Sequence, residues 1–310
     1  MSVLGIHHVT AISADIVGNL AFYTGVLGMR LVKKSVNQDD VSAYHLFYAD
    51  ALGSPGTDLT FFDWPRVTAN RPGPGTISLT LLRAPRGTFD YWESRLTEAG
   101  VTVDREPDRL SFQDPEGQRL ALIADDEMPG EIAPWDAVVP SDLNIRGILG
   151  VEIESSNARA TEAVLRQLLG FEEVGEGLWE VRTSTSLGQV RVLEGRGAHG
   201  RPGRGGVHHV AFRARDDQHL TEIENRVEAA GIRTSGYVDR HYFHSLYFRE
   251  PGGVLFEVAT DGPGMHIDED PGRLGERLSV PPFLEHRREF IEGILRPLPP
   301  PAYASTTSAE

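Results

Sequence analysis

Gly205-Gly206-Val207-His208-His209-Val210-Ala211-Phe212-Arg213-Ala214 opens a stretch that closes, after a helix-like segment, with Pro251-Gly252-Gly253-Val254-Leu255-Phe256-Glu257-Val258-Ala259. The first run alternates apolar and polar residues at the two-residue period of a strand, so His209 shares a face with Val207 and Ala211 and opposes Val210. The second run reads as another strand, with Glu257 set among Leu255, Phe256 and Val258. A carboxylate in such surroundings needs a partner, because an unpaired buried charge costs several kcal/mol, comparable with the stability margin of a whole domain. A metal ion shared with His209 would supply one. Gly5-Ile6-His7-His8-Val9-Thr10 repeats the histidine strand near the start of the chain, with His8 in the place of His209. Two imidazoles and one carboxylate make the three-ligand facial set that suits Fe(II) and leaves the opposite face of the ion open.

Working outward, the same unit recurs four times, which must be settled before any motif is weighed. Four helix-like segments end in glycine, at Leu20 to Gly28, Phe89 to Gly100, Thr161 to Gly170 and Leu220 to Gly231. Glycine just past the last periodic residue is the expected left-handed helix stop. A strand precedes each helix (Ile6 to Ile12, Thr76 to Leu82, Ile148 to Glu154, Val207 to Arg213). Two or three more follow, ending in Leu59 to Phe62, Arg119 to Ile123, Val190 to Leu193 and Val254 to Val258. The fold class expected is therefore α+β, with four βαβββ modules paired into two curved-sheet domains, since one such unit cannot cover its own sheet face. Residues 1–140 are expected to form an N-terminal domain of two modules and 141–262 a C-terminal domain of two more, with Pro129 to Asp142 as the connection. Residues 263–310 form a tail in which Phe283, Phe290, Ile291 and Ile294 predict one amphipathic helix packing across the domains, and Ala302 to Glu310 is expected to be disordered. The glycine-rich run Gly195 to Gly206 lacks the spacing of a phosphate loop and reads as a flexible linker.

Composition narrows the function classes. With 310 residues, 40% hydrophobic and 24% charged, the chain is large enough for two domains with cores of their own. No run approaches the roughly 20 apolar residues that span a bilayer. The chain enters a strand almost at once, without a basic segment and apolar run, so cytoplasmic residence is the expectation. A formal net charge of -15 argues against binding a phosphate backbone, so neither nucleic acid nor membrane is an expected partner. There is no cysteine, which leaves only nitrogen and oxygen to hold a metal. Lys33 and Lys34 are the only lysines and suggest no function by themselves.

Aligning the copies on their turns places His8 in the first, about Ser78 in the second and Gly150 in the third at the position of His209. Phe61, Ala121 and Val192 fall at the position of Glu257. One ligand set survives, His8, His209 and Glu257, split between the first and last modules. Four βαβββ units with a His/His/Glu set resemble the vicinal oxygen chelate superfamily, which includes glyoxalases, bleomycin- and fosfomycin-resistance proteins and extradiol ring-cleaving dioxygenases. The resemblance covers about residues 3 to 260. Gly150 excludes the ligand pattern of the catechol-type members, and ligands from the first and fourth units resemble the hydroquinone-type ring-cleaving dioxygenases. His7, Thr10, His208, Arg240 and Tyr247 stand where that group places active-site side chains. Met265-His266-Ile267-Asp268-Glu269-Asp270 echoes its acidic segment after the last strand.

The resemblance implies a non-heme Fe(II)-dependent dioxygenase, with Mn(II) the other candidate ion, that opens a hydroquinone or related phenolic ring with O2. The expected partners are a small aromatic substrate, O2 and a second copy of the chain in a homo-oligomer. His208 and His7 are the expected acid and base, since histidine titrates in the right range. Strand alternation, however, sends each away from its ligand neighbour's side, and a bend is needed to bring both to one pocket. Tyr247 is placed to stabilise developing oxygen charge, and Arg240 and Thr10 to bind substrate. His45, among the aromatics of Tyr44 to Tyr48, could face the pocket, but the favoured reading is a satisfied core histidine. The alternatives are a glyoxalase-like lyase or isomerase, which needs a fourth protein ligand where Phe61 stands, and a small-molecule-binding resistance protein, which is generally built from two units.

Overall fold

The computed structural model describes residues 2–125 and 132–305. The first module runs β1 (Ile6–Ser13), α1 (Ile16–Ala21), β2 (Arg30–Val36), β3 (Tyr44–Ala49) and β4 (Asp58–Asp63). The second comprises β5 (Thr76–Ala84), α2 (Phe89–Glu98), β6 (Asp104–Glu106), β7 (Arg109–Gln113) and β8 (Arg119–Ala124). The third is β9 (Ile148–Ser155), α3 (Ala158–Val164), β10 (Glu172–Gly175), β11 (Leu178–Arg182) and β12 (Leu187–Glu194). The fourth is β13 (Gly206–Ala214), α4 (Asp217–Ala229), β14 (Thr234–Asp239), β15 (Phe243–Arg249) and β16 (Leu255–Pro263). With the π-helical turns Phe22–Val26 and Leu165–Leu169 that continue α1 and α3, each helix stops where the glycines predict. Gly28, Gly100, Gly170 and Gly231 take φ of 69°, 79°, 78° and 77°, which a side chain rarely tolerates.

The modules pair into two eight-stranded sheets, ordered β14-β15-β16-β13-β1-β4-β3-β2 and β10-β11-β12-β9-β5-β8-β7-β6. The sheets do not follow the division of the chain at residues 140/141. Each draws one module from either side of it, the first with the fourth and the second with the third. The cause is long-range: β1 offers a free edge that β13 takes antiparallel, with Val9 opposite Val210, and strand periodicity does not specify which edge a strand will find. The helices lie on the outer faces over one continuous core that includes Trp92, Leu96, Leu220 and Ile223, all at most 2% exposed. The inner faces hold smaller apolar clusters, Val32, Phe47, Ala211 and Phe243 on the first sheet and Leu79, Leu81, Ala121 and Leu149 on the second.

Two expectations about connections are corrected. The glycine-rich segment is no flexible linker: it bridges Ala69 to Arg204 and Arg71 to Arg201 across the crossover between the first two modules. A Cβ on Gly203 or Gly205 would come within 2.3 Å of the Thr68 carbonyl or 2.1 Å of the Glu116 carbonyl, so glycine serves close approach here. The tail helix α5 (Arg288–Ile294) buries Ile291 but leaves Phe283, Phe290 and Ile294 about half exposed. Instead of packing across the domains, the tail straps the outer edge of the first module. Lys34 bridges Leu278, Ser35 donates to the Ser279 carbonyl (2.7 Å), and Tyr44 donates to that of Arg296 (2.9 Å). Ala302–Ser305 form a short turn with Tyr303 against Trp135; the rest of the expected disordered end and residues 129–131 of the connection lie outside the described residues.

No helix among the described residues is long and apolar enough to cross a membrane.

Candidate active site

β1 and β13 each carry an irregularity where the other meets it. His8 opposes Ala211 while Ile6 opposes Phe212, so His7 is an extra residue; Thr10 opposes His209 while Ala11 opposes Val207, so His208 is another. These bulges supply the bend that alternation alone lacks, because an extra residue lets two successive side chains leave on similar sides. The second sheet bulges at Ser78 and Leu149 in the same way. Counting from the bulges corrects the alignment of the copies. Leu79, not Ser78, matches His8, and Gly150 matches His209. The counterparts of Glu257 are Thr60, Ala121 and Arg191, in place of Phe61, Ala121 and Val192. Phe61 and Val192 instead face the outer core. The second sheet thus has leucine, glycine, alanine and arginine where the first has its donor atoms.

His8, His209 and Glu257 converge as their spacing predicts. Among the described residues they form the one group of three or more metal-ligating side chains with donors within 4.8 Å of one another. Nε2 of His8 lies 3.3 Å from Nε2 of His209, and Oε2 of Glu257 lies 2.8 Å from His209 and 3.3 Å from His8. All three side chains are at most 4% exposed. Oε2 nevertheless has no aligned hydrogen-bond donor, whereas Oε1 accepts from Ser245 Oγ at 2.6 Å. Burial pushes Glu257 up, but the imidazoles of His8 and His209 outweigh it and hold the carboxyl well below the usual range. A buried anionic oxygen without an aligned donor, facing two imidazole nitrogens, suits a divalent cation.

The residues preceding the two histidines orient them. His7 Nε2 lies 3.1 Å from the Thr260 carbonyl, which can only accept, so a neutral His7 carries its proton on Nε2 and offers Nδ1. The Nδ1–H of His8 then donates across 2.9 Å, and the lone pair on its Nε2 is left facing the cluster. His208 meets His209 in the same way, Nδ1 to Nδ1 at 2.7 Å. Burial pushes both His7 and His208 down to about 3, which keeps them neutral. Neither lines the cavity in front of the cluster, where the expected acid and base would stand. Both lie behind the ligand histidines, in the position of partners that set tautomer and orientation.

That cavity, about 450 Å³ including its mouth, is where the other expected residues divide. Tyr247 and Arg240 line one side, with Arg240 Nε donating to the Tyr247 hydroxyl at 3.2 Å and the Tyr247 ring 5.9 Å from that of His209. Arg240 leads into His241, which holds a left-handed φ of 71°, uncommon for a side-chain-bearing residue. At the mouth Arg240 Nη2 donates to Asp39 (2.9 Å) and Gln38 donates to the Arg240 carbonyl (2.8 Å). Thr10 does not reach the cavity; its hydroxyl meets that of Thr60 at 2.8 Å beneath the floor.

Phe47, Phe62, Phe243 and His45 also line the cavity, together with Tyr242 and the β2 end at Ser35, Val36 and Asn37. His45 is therefore no ordinary core residue: Nε2 meets Thr60 Oγ at 2.9 Å and the ring packs on Phe47 and Phe62 at 4.1 and 4.5 Å. Burial pushes it well below its ordinary value, with the His8 and His209 imidazoles adding to the shift. Ser245, which holds Glu257, was also missed, although it lies two residues before Tyr247 on one strand and so shares its face.

Comparison with known proteins agrees with this geometry. The family model described as the glyoxalase/bleomycin resistance protein/dioxygenase superfamily matches residues 5–122 and 147–258. MhqA of Bacillus subtilis, whose name provisionally describes a ring-cleaving dioxygenase, is 44% identical over 96% of this chain and 100% of its own length. The chlorohydroquinone/hydroquinone 1,2-dioxygenase of Sphingobium indicum is 31% identical over 91% of this chain and 92% of its own. A crystal structure from Bacillus subtilis, provisionally named a dioxygenase, superposes with a TM-score of 0.89 at 34% identity, covering 96% of this chain and 98% of that one.

Proposed function

The chain belongs to the glyoxalase/bleomycin resistance protein/dioxygenase superfamily, and from that premise we propose that it is a metal-dependent dioxygenase that opens a hydroquinone or related phenolic ring. The observation that carries the reading is the convergence of His8 Nε2, His209 Nε2 and Glu257 Oε2 at the floor of an aromatic-walled cavity. These three atoms would hold Fe(II) or, as the second candidate, Mn(II). Such an ion, with coordination positions to spare, supplies the electronic contact between an electron-rich ring and O2. Names of relatives support the hydroquinone class, and the all-nitrogen-and-oxygen donor set supports the metals.

The protein's own groups then have distinct tasks. His7 and His208 hold the ligand imidazoles in the tautomer that faces the cluster. Phe47, Phe62 and Phe243 stack a flat ring and keep water from it. Tyr247 offers a phenolic proton where oxygen charge develops, with Arg240 behind it. The glyoxalase-like alternative needs a fourth protein ligand, and the register position that would supply it carries Thr60.

The test is anaerobic loading with Fe(II) or Mn(II), then oxygen uptake and product mass on hydroquinones, catechols and methylglyoxal adducts. One O2 consumed per hydroquinone, with both atoms in a ring-opened product, is the expected result; efficient catechol cleavage beside inert hydroquinone would overturn the substrate class. His8→Ala, His209→Ala and Glu257→Ala should each lose the metal by elemental analysis while the circular dichroism spectrum persists, because the cores do not depend on the ion. Stoichiometric metal and full activity in His8→Ala protein would refute the ligand set.

A further inference from the structure

The first and fourth modules are related by a pseudo-twofold axis through the β1/β13 pair, and the metal-ligating cluster does not sit symmetrically about it. Register makes Thr60 the counterpart of Glu257, Phe47 that of Tyr247, and His45 that of Ser245. Ser245 bonds to Glu257 in the fourth module, and His45 bonds to Thr60 in the same way in the first. The cluster draws its carboxylate from the fourth module alone. In the first module β3 and β4 bring Phe47, Phe62 and His45 to the cavity and no metal-ligating donor set of their own, so this side is the one left for substrate.

We propose that His45 is a substrate-binding residue whose Nδ1 hydrogen-bonds the hydroxyl at the far end of the ring, opposite the oxygen held at the His8, His209 and Glu257 cluster. The assignment rests on the phenol-cleaving reading given above. His45 stands on β3, two strands from β1 in the sheet, roughly 9.5 Å across at the usual strand spacing, which is wide enough for a ring with oxygen at both ends plus a polar contact to each oxygen. Its Nε2 is taken by Thr60, and among the described residues Nδ1 has no hydrogen-bond partner while the ring lines the cavity. Thr60 is in turn tied to Thr10, and Phe47 and Phe62 hold the ring on both sides, so the imidazole is fixed before substrate arrives. Either tautomer gives the same selectivity. If Thr60 donates to Nε2, Nδ1 carries a proton and reads an acceptor; if Nε2 donates to Thr60, Nδ1 reads a donor. A hydroxyl satisfies both, and a methyl group satisfies neither.

Anaerobic calorimetric titration of the metal-loaded protein with hydroquinone and with 4-methylphenol tests this, with His45→Phe removing the nitrogens but keeping the ring. Hydroquinone should bind about tenfold more weakly to His45→Phe, as for one lost hydrogen bond, while 4-methylphenol changes by less than about twofold. His45→Gln should recover most of the hydroquinone affinity. His45→Leu, which also lacks the nitrogens, carries the comparison if circular dichroism shows that the Phe variant does not fold. Equal weakening for both ligands in the Phe or Leu variant would reduce His45 to packing, and unchanged hydroquinone affinity in that variant would overturn the assignment, in each case with hydroquinone cleavage by the wild type left standing. Failure of the wild type to bind or cleave either phenol would overturn the parent reading, and the His45 assignment with it.

Discussion

Asp58 is a buried carboxylate beside the site, opposite His8 in the β1/β4 register, at 1% exposure and with no hydrogen-bond partner for either oxygen among the described residues. Burial, with the Asp50 charge adding to it, raises its pKa well above 3.8. A raised pKa means that the folded state keeps a proton the unfolded chain has released. The favourable contribution is therefore complete below the unfolded value and is lost as pH rises through the folded one. Asp58→Asn should leave stability near pH 3 unchanged. Its advantage over wild type should then grow with pH by up to about 1.4 kcal/mol per unit inside that window, read from urea midpoints at several pH values. A constant difference across pH would show that Asp58 has a partner. Under the reading proposed above, Tyr247 would act on chemistry instead of stability. Tyr247→Phe should keep its metal and lose roughly 10- to 1000-fold in kcat, as for removal of one donor to a developing oxygen charge. Unchanged turnover at saturating substrate would leave it a packing residue.

At the scale of elements, the β1 and β13 bulges decide which side chains meet. They bring His7 against His8 and His208 against His209, and they set Thr60 where a carboxylate would close the ligand set. Thr60→Glu should accordingly retain metal and take up less oxygen than wild type, because a fourth protein ligand occupies a position the reaction needs; undiminished uptake would mean that this side chain does not face the ion. Much here was legible from residues alone. The four glycine-stopped helices, the strands that open each module and the His8, His209 and Glu257 set follow from local periodicity and donor chemistry, and the structure bears out the elements and brings the three together. The bulges were not legible, because an extra residue leaves the hydrophobic pattern almost unchanged while shifting register by one. That is why Phe61 was read in place of Thr60. His45 reads as core before cavity for a related reason: a histidine among aromatics has the same pattern whether its ring meets core or cavity.

For the molecule as a whole, the tail is tied down by one of the two lysines. Lys33, fully buried, donates to Asp268 (2.7 Å) and Glu269, and lies 4.8 Å over the Tyr242 ring, while Tyr242 donates to Asp268 at 3.0 Å. Lys33→Met would leave the buried Glu269 only the Gly275 N–H at 3.5 Å and Arg277 at 3.9 Å, and should cost about 3 kcal/mol in urea unfolding, since it removes the main partner of a buried pair. A loss below about 1 kcal/mol, the scale of exposed pairs, would show that water reaches Glu269. The order of the first sheet also has a consequence for how the protein is made. The strand that covers the edge of β1, β13, and the strand that carries Glu257 are translated some two hundred residues or more after β1 itself. At ordinary elongation rates of ~5–20 residues per second the nascent chain carries that bare edge for roughly 10 to 40 s. During that interval a half-made ligand pair and an unpaired strand are both open to other chains, so metal loading must wait until β16 is made, and a product cut short before β13 would be prone to aggregate along β1.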